Sequence, residues 1–248
     1  MSLMIHAGAT AATYAELADA PMPEPTATHA PIAHRSVVDM VKYSLGFFNH
    51  EIADENYALT ADGLRFFGVL SLRSPHGDYS DTIGLRNSND KMFPIGISFG
   101  SRVFVCDNLA FIGDHVIRRK HTANAKRDLP GLVAAVIEPL TAQRAVQAEK
   151  IAQYKTIPFN EDHARSTIFR MYLEQVINLQ RLPDVWNAWK QPPHDWGDET
   201  AWRLFNAATY AMRGRVAENP RATKTLHQII DGTVELVTGI SLKTNPLH

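Results

Sequence analysis

Between residues 50 and 112 the chain is cut into short apolar runs by polar and glycine turns, and this rhythm narrows the choice of fold more than any other feature. The runs are EIADENYALT (51–60), LRFFGVLSLRS (64–74), YSDTIGLRNS (79–88), FPIGISFGS (93–101) and RVFVCDNLAFIG (102–113). They are rich in Ile, Val, Phe, Tyr and Leu, the residues that suit a pleated, half-buried surface. Turns are predicted at Ala61-Asp62-Gly63, Pro75-His76-Gly77-Asp78, Asn87 to Asp90, and Gly100-Ser101. Asp62-Gly63 and Gly77-Asp78 are the clearest hairpin signals among them. Short strands joined by short turns pair with their neighbours, so the spacing predicts an antiparallel meander.

On either side of this region the apolar period becomes helical. Val37, Met40, Val41 and Leu45 recur behind Ser36, a predicted N-cap, and Gly46 is the predicted stop. From about residue 128 helical patterning runs to the end, with Pro130 suited to a first turn. Asn160 is a predicted cap for a stripe of Ile168, Met171, Tyr172, Val176 and Leu179. The segment 198–213 carries Trp202, Phe205 and Tyr210. Asn219-Pro220 opens a last helix with Leu226, Ile229, Ile230, Val234 and Val237 on one face and Gly239 just beyond. Trp186, Trp189, Trp196 and Trp202 read as a helical core or a subunit interface, core being favoured because aromatic rings dominate buried area. Residues 1–33 are rich in Ala, Thr and Pro, hold Glu16, Asp19 and Glu24, and lack Lys and Arg. They read as an arm, ordered against the body or a partner, or as a loose tail.

The expected fold class is therefore α+β: an N-terminal helix and antiparallel β-meander (about residues 35–112), then a mainly helical C-terminal half. The expected domain plan is a Pro/Ala-rich arm (1–33), a sheet region (34–127) and a helical region (128–248) packed on the sheet as one domain.

Gly96-Ile97-Ser98-Phe99-Gly100 fits the G-x-S-x-G pattern of a hydrolase nucleophile elbow. A working elbow needs a helix after the serine, whereas Arg102-Val103-Phe104-Val105-Cys106 alternates like a strand, so Ser98 reads as a strand residue. Cys106, the one cysteine, reads as a small buried hydrophobe more readily than as a nucleophile. Ser88-Asn89-Asp90-Lys91 matches S-x-x-K without its companion motifs and reads as a turn. The pairs His50/Asp54, His76/Asp78, Asp114/His115 and His194/Asp195 lack the spacing of a closed zinc site. No P-loop or dinucleotide G-x-G-x-x-G is present. No catalytic residue, metal site or cofactor is expected.

Net charge is −1, with 25 basic and 26 acidic residues, so any nucleic-acid site must rest on local charge. Residues 102–127 hold Arg102, Arg118, Arg119, Lys120, Lys126 and Arg127 against Asp107 and Asp114. Such a stretch neutralises phosphates or forms a solvated connector. Arg86 and Lys91, near the strand turns, extend the basic set. Tyr57, Phe66, Phe67, Phe93 and Phe104 offer stacking surfaces or fill the core. The candidate nucleic-acid residues are Arg86, Lys91, Arg102, Arg118, Arg119 and Lys120. Asn87, Ser88, Asp90 and Asn108 form a candidate ligand loop, the alternative being a turn that satisfies itself. A single cysteine suits a reducing compartment, and no apolar run approaches the roughly 20 residues of a membrane span. A cytoplasmic location, with no membrane partner, is expected.

Phe67 to Val69, Gly84 to Lys91 (GLRNSNDK) and Gly100 to Phe111 (GSRVFVCDNLAF) together resemble motifs of the domain-of-unknown-function family 932, the phage/plasmid-like protein family. Thr200 to Met212 resembles that family's C-terminal Thr-x-Trp…Asn-Ala-x-Thr-x-Tyr element, so the likeness spans roughly residues 35–215. It implies a protein of phages, prophages or plasmids working in a host cytoplasm, and supplies no catalytic residues. The order helix, meander, helix is also that of single-strand annealing proteins, an analogy of fold order that does not carry function. The expectation is a non-enzymatic accessory protein that binds single-stranded DNA. The alternative is an interaction factor that modulates or inhibits a host enzyme or defence system. A homo-oligomer is compatible with either.

Overall fold

A computed structural model describes residues 9–103, 109–212 and 220–239. Its six-stranded antiparallel sheet has strands in sequence order: β1 (Ala9–Ala12), β2 (Ile52–Thr60), β3 (Arg65–Leu72), β4 (Tyr79–Ser88), β5 (Ile95–Val103) and β6 (Leu109–Arg119). A mainly helical half follows, so the fold is α+β. At the β2–β3 turn Gly63 adopts φ +67°, and a Cβ there would lie 2.6 Å from Pro21 Cδ. Both facts call for glycine.

Two predicted turns are corrected. Gly100 and Ser101 lie inside β5, which runs on to Val103, so the β-branched and aromatic flanks outweigh the glycine. Asn87 and Ser88 complete β4, and the loop begins only at Asn89. Ser98 is a buried residue of β5.

The arm is structured. Ala9–Ala12 pairs with β2, with Ala9 opposite Thr60 and Ala12 opposite Tyr57. A short helix, α1 (Glu16–Asp19), follows a reciprocal cap in which Thr13 N donates to Glu16 Oε2 (2.6 Å) and Glu16 N to Thr13 Oγ1 (3.3 Å). Leu17 and Ile32 are buried.

Helix α2 (His34–Phe47) buries Val37, Val38, Val41 and Leu45. It starts two residues ahead of the predicted cap, so Ser36 lies in its first turn. The start is set by tertiary bonds: His34 Nε2 meets Gly63 O at 3.0 Å and His34 Nδ1 meets Asn87 Nδ2 at 2.9 Å. Gly46 is inside the helix. The stop is Asn49, at φ 60°, flanked by Asn49 N→Gly46 O (3.2 Å) and His50 N→Leu45 O (2.8 Å). Asn is the residue after Gly that best tolerates this left-handed position.

The chain divides into two compact units: residues up to Arg102 with Gly113–Leu140, and Val103–Ile112 with the residues from Thr141 on. The first unit holds α3 (Ala125–Ile137), which begins after Asn124. Pro130 is thus inside the helix, not in its first turn, and the backbone donor it lacks is one a helix interior normally uses.

The second unit is built from α4 (Leu140–Thr156), α5 (Glu161–Leu173), α6 (Leu182–Lys190), α7 (Ala201–Met212) and α8 (Pro220–Thr238). Asn160 caps α5 as predicted, its side chain accepting from His163 N at 2.8 Å. The predicted stripe breaks at Leu173; Gln175 turns the chain at φ 59°, Val176 is still buried, and Leu179 is 63% exposed. Leu226, Ile229, Ile230 and Val234 of α8 are buried, and Gly239, at φ +71°, closes the helix with N–H→Glu235 O at 2.8 Å. Trp189, Trp196 and Trp202 are buried in this unit, while Trp186 is half-buried beneath the Arg165 guanidinium at 5.1 Å. Among the described residues no helix is long and apolar enough to cross a membrane.

Candidate nucleic-acid interface

In the sheet, alternation decides which side chains share a face. Phe66 of β3 pairs with Asn87 of β4, and both meet the start of α2: the His34 ring lies 5.6 Å from Phe66, and Asn87 Nδ2 donates to Ile32 O at 2.8 Å. The next pair, Phe67 with Arg86, therefore faces the other way. There the Arg86 side chain crosses Gly96 of β5; a Cβ on Gly96 would lie 2.7 Å from Arg86 Nε and 2.8 Å from its Cγ. Gly96 is the space through which the arginine runs. The Arg86 guanidinium sits 5.2 Å from the centre of the Phe93 ring, itself 5.5 Å from Phe67.

Arg118 of β6 is exposed and close enough for its charge to act on Arg86. Burial first, and the Arg118 charge second, pull the Arg86 pKa below its usual value. The result is a half-buried arginine on an aromatic ring beside an exposed one.

The structure separates the remaining predicted basic residues. Arg119 is tied to the start of α3, its Nη2 donating to Asp128 Oδ2 at 2.6 Å. Arg127 holds the other oxygen of the same carboxylate at 2.8 Å. Lys120 is exposed just past the end of β6. Lys91 is exposed in the β4–β5 loop at φ 70°, two residues before Phe93. Arg102 is in β5, and its side chain lies outside the described part, as do Asn108 and Cys106.

Ser88 and Asp90 of the candidate ligand loop are bonded to each other and to the turn around them. Ser88 Oγ donates to Asp90 Oδ1 and accepts from Met92 N (3.0 Å) and Phe93 N (3.3 Å). Asp90 Oδ2 accepts from Arg65 Nε at 2.5 Å. Asn87 is fully buried and clamps the α2 start. Asn89 joins this clamp, accepting from Ile32 N at 3.3 Å. These groups build the turn that presents Phe93 and Lys91.

Sequence reading missed two buried clusters. In the first unit His29 and His121 face each other with ring centres 5.1 Å apart, and His29 Nε2 meets Asn89 O at 3.0 Å. Burial, then His29, push the His121 imidazole down to about 4, against a smaller opposing effect of the Ala30 backbone. In the second unit Asp231 of α8 accepts from Lys150 Nζ (2.8 Å) and Tyr154 OH (2.5 Å) of α4. His227 stands one turn before Asp231, against Phe205 at 4.5 Å. Burial, then the Lys150 charge, push His227 down to about 3, while burial and Asp231 raise Tyr154 well above its usual value. The signal was His227-x-x-x-Asp231, one face of a helix, but α4 supplies its partners from 73 to 81 residues away. Among the described residues no group of three or more His, Cys, Asp or Glu is arranged to hold a metal ion.

No protein-family model, no curated protein and no solved structure matches the chain.

Proposed function

We propose that the sheet unit binds nucleic acid, single-stranded DNA above all, through Arg118, Lys120 and Lys91 with Arg86 behind them, as a non-enzymatic accessory protein of a phage or plasmid. The supporting observation is that Arg86, on the sheet face turned away from α2, lies within reach of the charge of the exposed Arg118. Positive charges gathered at one place on a surface are where a phosphate backbone binds. The mobile-element setting comes from the motif resemblance at Gly84 to Lys91 and Gly100 to Phe111. The test is the double charge reversal Arg118→Glu with Lys120→Glu. It is expected to weaken binding of a single-stranded oligonucleotide at least about tenfold and to flatten the salt dependence by roughly two contacts. Unchanged affinity and slope would reject the proposal.

A second reading, a protein-interaction factor acting on a host enzyme or defence system, is favoured by α2. Its outer face exposes Tyr43 (76%) and Phe47 (68%) one turn apart. A host protein retained after nuclease treatment, and lost on Tyr43→Ala with Phe47→Ala, would support it. Retention unchanged by both substitutions would count against this face.

A further inference from the structure

The helical unit carries a groove of about 380 Å³ between α5 and α8. One wall is a single face of α5, with His163, Ser166, Thr167 and Arg170 at helical spacing; the other is Thr233, Leu236 and Val237 of α8. The floor is closed by Thr167 Oγ1 and Thr233 Oγ1 at 3.1 Å. Arg170 reaches over α8 at Gly232, where a Cβ would stand 3.4 Å from its Nη1. These two points fix the direction of the groove: Arg170 marks one end, and the opposite end lies along Leu236 and Val237.

The polar groups of the lining are not equally available. Thr167 Oγ1 donates to His163 O (2.6 Å), Ser166 Oγ to Asp162 O (2.8 Å), and Thr233 Oγ1 to Ile229 O (3.1 Å), so the hydroxyl protons are already engaged. Arg170 is exposed and makes no ion pair or side-chain hydrogen bond among the described residues. Its α5 neighbour Arg165, by contrast, is held by Glu161 and Asp162. Among the described residues the lining includes no carboxylate, and Arg170 gives it a positive charge. At the far end Leu236 is 81% exposed, an apolar side chain beside the groove that no described residue covers.

We propose that this groove binds a small amphiphilic carboxylate, with the carboxylate on the Arg170 guanidinium and the apolar tail along Leu236 and Val237. Charge complementarity selects the head, since a planar guanidinium matches a carboxylate with two parallel hydrogen bonds. The apolar end selects the tail. The helix rise between His163 and Arg170 is about 10 Å, which suits a medium-chain acid. This site belongs to the helical unit and is independent of the DNA reading.

The test uses hexanoate, hexanol and acetate, titrated into the full chain and followed by amide chemical shifts and calorimetry. Hexanoate is expected to bind saturably, with shifts centred on α5 and α8, and both hexanol and acetate more weakly. Arg170→Gln is expected to weaken hexanoate at least about tenfold and bring it level with hexanol. Ser166→Trp, which fills the groove from an exposed position, is expected to abolish binding of all three. Both substitutions are at exposed sites, so the variants fold. Equal binding of hexanoate and hexanol, hexanoate binding untouched by Arg170→Gln, or no saturable hexanoate binding would each overturn the proposal.

Discussion

His121 and His227 are imidazoles that the fold holds neutral, each by burial first and a neighbouring positive or ionisable group second. The consequence for stability has a definite sign. Above the ordinary value of 6.5 both the folded and the unfolded chain carry these rings neutral, and the contribution is flat. Below it the unfolded chain takes up protons that the folded chain refuses, until the pH reaches about 4 for His121 and about 3 for His227. Stability is therefore expected to fall with acidification, by about 1.4 kcal/mol per pH unit for each ring across that window. Denaturant midpoints at about pH 7 and about pH 5 measure it, and His227→Phe, which places a ring beside Phe205, is expected to make the decline shallower. A variant with the same decline as the parent would show that His227 is not one of the groups responsible. Little of this was legible beforehand. His227 and Asp231 share a helix face in the sequence, as His50 and Asp54 share a spacing, but only the fold brings Lys150 and Tyr154 to the first pair. Arg86 and Arg118 were both named from the sequence. That Arg119 turns to Asp128 while its neighbour Arg118 lies beside Arg86 follows from strand alternation once the partners are known.

Elements whose own residues decide them were read well. β4 spans the apolar run Tyr79–Ser88, apart from Asn87 and Ser88 having also been given to the turn, and the α5 cap and the α8 stop are where Asn160 and Gly239 put them. The errors fall where tertiary contacts or a less common residue take over. Asn49 does the work expected of Gly46, and the buried His34 sets a helix start that propensity assigned to Ser36. The Thr13–Glu16 box was a readable signal in an arm otherwise dominated by breakers. Between α4 and α8 the Lys150–Asp231 pair, at 16% and 12% side-chain exposure, is a testable joint. Asp231→Ala leaves Lys150 buried without its partner and is expected to cost about 3–5 kcal/mol, whereas Lys150→Met with Asp231→Leu is expected to cost less, about 1–3 kcal/mol, for the buried Tyr154 hydroxyl it leaves without an acceptor. Chemical denaturation of the three proteins decides it. A double variant as unstable as Asp231→Ala would show that the pair stabilises the joint on its own account.

At the scale of the molecule, the class was legible because the period of the apolar pattern changes at each end of the meander, and the structure keeps that order. The site was legible only as a list of charges. Assembly needed Gly96, whose missing side chain lets Arg86 cross β5, and nothing local marks that glycine as different from Gly84 or Gly100. We propose above all that this end of the sheet is a surface for a polyanion. It is tested most directly by the anisotropy of labelled single-stranded and duplex oligonucleotides at about 50 and about 200 mM salt. The expected result is preferential binding of the single strand that weakens about tenfold or more over that range, as three or so phosphate contacts require. Absence of binding at the lower salt, or binding indifferent to salt, would contradict it and leave Arg86 and Arg118 without that role.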